Sequence, residues 1–253
     1  MSETTVVVGG AQGIGAAVAT HLATEPWTRR IVIADIREDL VEELAAKLRA
    51  DGHDAVGMRV DVTDGASVDT LVAASSEAER VAIAAGIFKA TPSLEATRDD
   101  FDRVLAVNLM GNFFAAQAYA RHMVERRSGS IVAIASIASR MGRMRQAAYC
   151  ASKAGMRQAL RVLAMETVPL GVRINFVSPG PTDTPMMREL AADHASVDDL
   201  AIGSPEAFRP PIPAGRVARP EAIAQAVAFL LSPAASHVAM HDLQVDGGET
   251  IGQ

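Results

Sequence analysis

The sequence predicts an α/β protein, a single doubly wound domain over residues 1–253 whose seven-stranded parallel sheet carries helices on both faces. Three observations point there. Short apolar runs alternate with longer segments of helical period, a glycine-rich turn joins the first run to the first such segment, and the second run closes on an acidic residue, Asp35. Strands covered on both faces read as unbroken apolar runs, and the helical segments between them supply the crossovers that parallel pairing requires.

The first strand is Thr4 to Val8, and the helix after its glycine turn is Gly13 to Glu25. Ile31 to Asp35, Ala55 to Val60 and Val81 to Ala85 are the next strands, followed by helical period over Leu40 to Asp51, Ser67 to Glu79 and Asp99 to Glu125. Ser130 to Ala135, Val172 to Val177 and Leu243 to Val245 complete the sheet, with Ala147 to Val168 and Pro220 to Leu231 as the remaining helices. No repeat or low-complexity linker marks a domain boundary. Thr184 to Arg219, rich in proline and carrying Met186, Met187 and Phe208, breaks the regularity. A long irregular stretch in a compact domain is often a lid over a ligand, with an ordered surface loop as the alternative.

Aromatic residues make up only 4% of the chain against 49% apolar residues in all, so aliphatic side chains must fill the core. The formal net charge of -6 leaves no basic footprint for nucleic acid. No stretch nears the roughly 20 apolar residues that span a bilayer, so no membrane partner is expected. Cys150 is the single cysteine, which excludes an intrachain disulfide and reads as a small packing residue. The first strand begins too early for a cleavable leader to precede it, and a cytoplasmic location is expected. His237 and His241 are four residues apart without an evident third ligand, so no metal is expected.

Two constellations carry chemistry. Gly9, Gly13 and Gly15 lie between the first strand and the first helix, where glycine permits a tight turn and close backbone approach to a pyrophosphate at the helix N-terminus. Asp35 follows Gly15 by 20 residues, placed to accept hydrogen bonds from adenosine ribose hydroxyls and to repel a 2'-phosphate, which favours NAD over NADP. A solvated or capping Asp35 is the plainer alternative, and Arg37 close by could tolerate the phosphate. At the other end, Tyr149 and Lys153 are four residues apart, one turn along a helix face. A nearby ammonium favours the ionised form of a phenol, making Tyr149 a candidate proton acceptor.

With these residues in place, the chain resembles a short-chain dehydrogenase/reductase over essentially its whole length. The glycine spacing, Asp61-Val62 after the third strand, Asn108 in Val-Asn-Leu, Ser136 before Tyr149 by 13 residues, Lys153, and Pro179-Gly180 after the sixth strand fall in family order. Two departures stand out. Val8 occupies the place of a threonine, and Ile83-Ala84-Ala85-Gly86 stands where the family carries Asn-Asn-Ala-Gly. In the family that threonine braces the asparagine-bearing strand, so the two losses are expected to be linked.

The resemblance implies a Rossmann fold binding NAD through Gly9, Gln12, Gly13, Ile14, Gly15, Asp35, Asp61, Val62, Ala85, Gly86, Pro179, Gly180, Thr182 and Thr184, with Tyr149 and Lys153 reaching the nicotinamide ribose. It implies Tyr149 as base, Lys153 as its support, Ser136 as the group that positions the substrate oxygen, and Asn108 as anchor of a proton-relay water. A homotetramer on the long helices after Asn108 and Tyr149 is implied too.

Arg140, Arg143 and Arg145 crowd the loop between Ser136 and Tyr149, and guanidinium forks suit a carboxylate. A small anionic substrate is therefore expected, with solvated or intersubunit arginines as the alternative. Arg143, Pro179-Gly180-Pro181-Thr182-Asp183-Thr184-Pro185-Met186 with Arg188 soon after, and the C-terminal pattern to Val245-Asp246-Gly247-Gly248 resemble 2,3-dihydro-2,3-dihydroxybenzoate dehydrogenases of siderophore biosynthesis. That likeness implies NAD-dependent oxidation of a carboxylated cyclic dihydrodiol to a catechol, with Ser136, Arg143, Tyr149, Met186 and Arg188 meeting the substrate. A dihydro-hydroxyanthranilate dehydrogenase or a 3-oxoacyl-type ketone reductase are alternatives within the family. A catalytically silent NAD-binding scaffold is the alternative outside it.

Overall fold

The computed structural model describes residues 3–191 and 196–252. Seven strands, β1 (Thr4–Val8), β2 (Arg30–Asp35), β3 (Asp54–Arg59), β4 (Arg80–Ile83), β5 (Gly129–Ile134), β6 (Val172–Pro179) and β7 (Asp242–Val245), form one sheet in the order β3-β2-β1-β4-β5-β6-β7. Every pairing is parallel. The predicted sheet is therefore present.

Side chains alternate across the sheet and feed two cores. Val6 and Val8 of β1 face one layer, with Ile83, Ile131, Phe176, Tyr119, Met123, Met156 and Leu160. Val7 faces the other, with Ile31, Ile33, Val132, Val18, Leu22, Ile223 and Val227. Helices α3 (Gly65–Ala74), α5 (Asn112–Arg126) and α6 (Ala147–Thr167) cover the first face. Helices α1 (Gly13–Ala23), α2 (Glu38–Ala50) and α8 (Pro220–Leu231) cover the second. Strand order reverses between β1 and β4, so a crevice opens at their carboxyl ends, the usual ligand position in such sheets.

Two expected helices differ, and the four-residue spacing of His237 and His241 is not helical. The stretch read as one helix from Asp99 to Glu125 is α4 (Arg98–Leu105), a π-helical segment Ala106–Gly111, and α5. The helix expected to reach Glu79 stops at Ala74, because Ser75 leaves helical geometry and its hydroxyl bonds Leu71 O and Tyr119 OH. His237 and His241 lie between a short 3-10 turn, Pro233–Ala235, and β7, with Met240 left-handed between them, so helical spacing does not apply.

The irregular stretch after β6 has structure of its own. Helix α7 (Pro185–Leu190) and 3-10 turns Val197–Ile202 and Pro205–Ala207 surround a small core of Ala191, Leu200, Ala201, Ile212 and Val217. Residues 192–195 of the predicted lid lie outside the described residues. Among the described residues no helix is long and apolar enough to cross a membrane.

Candidate active site

One cleft of about 880 Å³ runs along the carboxyl edge of the sheet. Its nucleotide end is fixed by backbone. Gly9 has φ +86°, and a β-carbon there would stand 2.3 Å from Ala85 N. A β-carbon on Gly15 would stand 1.8 Å from Gly9 O, so the turn and the first turn of α1 interlock at a distance only glycine allows. Gln12 offers no side-chain cap, leaving the N–H groups at the start of α1 open towards the cleft. This cradle fits a dinucleotide pyrophosphate.

Asp35 sits where β2 ends. One carboxylate oxygen accepts from Ala11 N at 3.2 Å and the other from Arg37 N at 3.1 Å, so the acid belongs to the wall that would meet an adenosine ribose. Asp61, Val62, Ala85 and Gly86 line the same end. The Thr63 hydroxyl and backbone N–H hold the Asp61 carboxyl below the ordinary carboxylate range. The two sequence departures meet here: Val8 and Ile83 are register partners of β1 and β4, both buried. An apolar contact replaces the polar brace.

At the reaction end, Ser136 leaves β5 and caps the turn Ile137–Ser139, its Oγ accepting from Ala138 N at 3.1 Å. Tyr149 stands in the first turn of α6, close enough to Ser136 for its hydroxyl to favour the ionised phenol, and edge-on to Phe88 at 5.0 Å between ring centres. Lys153, one turn on, donates to Ile134 O at 2.9 Å and lies 5.9 Å from the Tyr149 ring centre. Burial pushes the Tyr149 phenol up to about 12 against the opposing Ser136 hydroxyl, and burial pulls Lys153 down to about 8. The expectation that the ammonium makes the phenol acidic is corrected for the protein alone, because desolvation dominates both groups.

Asn108 belongs to the π-helical segment and is fully buried. Its side chain accepts from Ile87 N at 2.8 Å and donates to Ile87 O at 2.9 Å and Ser152 Oγ at 3.1 Å. Its main-chain oxygen accepts from Asn112 Nδ2 at 3.0 Å. It thus ties the strand end after β4 to α6. Pro179, Gly180, Thr182 and Thr184 line the cleft, with Thr182 donating to Gly180 O and Thr184 capping α7.

Among the predicted substrate residues, Arg143 and Met186 line the cleft with Ser136 and Tyr149, but Arg188 does not. Arg188 pairs with Asp183 at 2.6 Å and is largely exposed. Arg140 joins Arg157 on the buried Asp242, and Arg145 is exposed and also outside the cleft lining. Arg143 donates to Glu249 at 2.7 Å, and Arg209 approaches the same oxygen at 3.5 Å. Glu249, Arg209, Gln146 and Phe88 all line the cleft and were not anticipated from the sequence. No local pattern announces them, since the first two come from distant segments.

The family model described as enoyl-(acyl carrier protein) reductase matches residues 9–250. The chain is 36% identical to the 2,3-dihydro-2,3-dihydroxybenzoate dehydrogenase of Bacillus subtilis, over 97% of this chain and 95% of that protein. It is 39% identical to the D-threitol dehydrogenase of Mycolicibacterium smegmatis, over 97% and 92%. It is also 39% identical to the cis-4-hydroxycyclohexanecarboxylate dehydrogenase of Sinomonas cyclohexanicum, over 97% and 95%. Levodione reductase superposes with a TM-score of 0.90 at 29% identity, over 99% of this chain and 98% of that one. A structure from Beutenbergia cavernae, described as an NAD(P)-dependent gluconate 5-dehydrogenase and carrying NADP at low occupancy, gives 0.88 at 32%, over 98% and 96%.

Proposed function

The chain belongs to the short-chain dehydrogenase/reductase family, and from that premise we propose that it uses NAD to oxidise a ring hydroxyl of a carboxylated cyclic dihydrodiol, of the 2,3-dihydro-2,3-dihydroxybenzoate kind, to a catechol. One observation carries the reading. A single cleft holds Ser136, Tyr149 and Lys153 together with Arg143, with Asp35 at its far end. Two of the relatives named above act on six-membered rings bearing a carboxylate.

Gly9, Gly13 and Gly15 would hold the pyrophosphate, Asp35 the adenosine ribose, and Lys153 the nicotinamide ribose. The Asp35 carboxylate disfavours a 2'-phosphate, while Arg37 leans to Asp39 at 3.8 Å. When bound, the dinucleotide supplies the acceptor for the hydride that leaves the carbinol carbon. Ser136 Oγ and the Tyr149 hydroxyl, which line the same cleft, converge on the substrate hydroxyl and fix its orientation. Tyr149 takes the hydroxyl proton, and the ketone left on the ring tautomerises to the aromatic product. Lys153 and any cationic charge beside it must oppose the desolvation that holds the phenol protonated. The described parts of the segment 184–219, which bring Met186 and Arg209 to the cleft, serve as its cover. A homotetramer would use the exposed Met110, Phe114, Val162 and Met165 on and beside α5 and α6.

A second reading, a neutral alcohol as substrate, draws support from Glu249, which already faces Arg143. Absorbance at 340 nm separates the two. With 2,3-dihydro-2,3-dihydroxybenzoate, NAD should be reduced far faster than NADP, and D-threitol and cyclopentanol should be poor. Faster turnover of the neutral alcohols would sink the first reading.

A further inference from the structure

Glu249, Arg143 and Arg209 form a charge cluster on the cleft wall that is incomplete as it stands. Both guanidiniums use one oxygen, Glu249 Oε1, at 2.7 Å and 3.5 Å, while Glu249 Oε2 and Arg209 Nη2 are buried with no hydrogen-bond partner among the described residues. Two cations against one anion leave a residual positive charge. Buried polar groups in native proteins are almost always paired, so two cations sharing one carboxylate oxygen leave hydrogen-bonding capacity and positive charge that an anionic partner would satisfy. If Glu249 served only to neutralise Arg143, the second arginine would have no purpose there.

The three side chains are carried to this point by separate devices. Arg143 comes from the loop between β5 and α6. Arg209 comes from the cover, where Ser204 and Arg209 exchange backbone hydrogen bonds at 2.9 Å in both directions and close a tight loop. Glu249 follows β7 in a turn locked by Asp246, which accepts from Gly248 N, Thr250 N and the Thr250 hydroxyl. The Glu249 side chain is wholly buried, whereas those of Arg143 and Arg209 keep 11% and 19% exposure. The anion is fixed at the back and the cations stand in front.

We propose that Arg209, acting with Arg143, receives the substrate carboxylate, and that Glu249 is the positioning residue that holds both guanidiniums at the cleft wall. The inference deepens the proposed function and rests on its carboxylated substrate. A ring carboxylate entering the cleft meets two cations, one on the β5–α6 loop and one on the cover, both of which line it and keep part of their surface open. Substrate charge thereby tethers the cover to the sheet.

Calorimetric titration of the dinucleotide-loaded protein with benzoate and with uncharged benzamide tests this. Benzoate should bind saturably, Arg209→Ala should weaken it about tenfold or more, Arg209→Lys should recover part of the loss, and benzamide and dinucleotide affinities should stay put. Glu249→Gln should melt lower than wild type, and benzoate should raise its melting temperature more than it raises that of wild type. No saturable benzoate binding, equal benzoate affinity in Arg209→Ala and wild type, or equal losses of benzoate and benzamide would overturn the Arg209 assignment. Equal melting shifts with benzoate in Glu249→Gln and wild type would overturn the positioning role. If benzoate behaves as expected while no carboxylated ring diol reduces the dinucleotide, the proposed function falls and the carboxylate site stands. If 2,3-dihydro-2,3-dihydroxybenzoate is oxidised equally well by wild type and Arg209→Ala, the reverse holds.

Discussion

The two ends of the cleft are built by different means. At the nucleotide end, backbone meets backbone, and Gly9 and Gly15 are required because nothing larger fits between β1, α1 and the strand end at Ala85. At the substrate end, side chains from the β5–α6 loop, the cover and the C-terminal turn meet through charge, with Arg143 and Glu249 106 residues apart in the chain. Geometry of the first kind is set by backbone contact and tolerates almost no change. Geometry of the second kind is distributed, so single substitutions there should retune specificity and leave the fold alone.

The largest effect expected is at the boundary between the two ends. Tyr149→Phe should cut turnover by about 10²- to 10⁴-fold, the usual worth of a positioned base, with dinucleotide affinity little changed. Because the phenol titrates far above neutrality, its ionised fraction grows about tenfold per pH unit below its pKa, so oxidation should speed up from pH 7 to 9. A wild-type profile that falls over that range would remove Tyr149 as the base.

Gly15→Ala comes next, because the added carbon would overlap Gly9 O and the turn must open. Dinucleotide affinity should weaken at least about tenfold, whereas Gly142→Ala, in open space on the substrate-end loop, should bind as wild type does. Equal tolerance of the two would break the contrast drawn above. Arg143→Ala should lower kcat/KM for ring acids by about 10- to 100-fold, in line with a lost charged hydrogen bond, and leave neutral alcohols nearly untouched. Similar losses for both substrate classes would make Arg143 a packing residue.

The smallest expected effect is on stability. Lys153 titrates near 8 in the folded protein and near 10.5 unfolded, so between these values the unfolded chain binds more protons and stability gains from rising pH through this group. Below pH 8 the buried cation is a net cost, so Lys153→Met should raise Tm by a few degrees at pH 7, on the order of 1–3 kcal/mol. A lower Tm by differential scanning fluorimetry would show that the bond to Ile134 O outweighs desolvation.

Most of the fold was legible because its signals are local: apolar runs for strands, helical period for their covers, glycine between the first of each. What escaped was tertiary in origin. A π-helical insertion leaves no trace in periodicity, since Ala106 to Gly111 reads as ordinary helix until Asn108 must reach Ile87. Ser75 ends α3 through a bond to Tyr119, 44 residues on, which no window of sequence contains. The Ser136, Tyr149 and Lys153 placements were legible through spacing along a known pattern. Arg188 was misread because its guanidinium finds Asp183 outside the cleft, and Arg209 was missed because the chain distance to its partner hides it.

The Val8 and Ile83 pairing constrains which substitutions these two buried positions accept. V8T alone would set a hydroxyl against isoleucine in a sealed layer, and I83N alone would strand an amide beside valine, so each single exchange carries the penalty of an unpaired dipole. Only a concerted double exchange escapes it. Two positions distant in the chain but adjacent in the sheet are thus energetically coupled, and the hydrocarbon pair is stable against either single exchange.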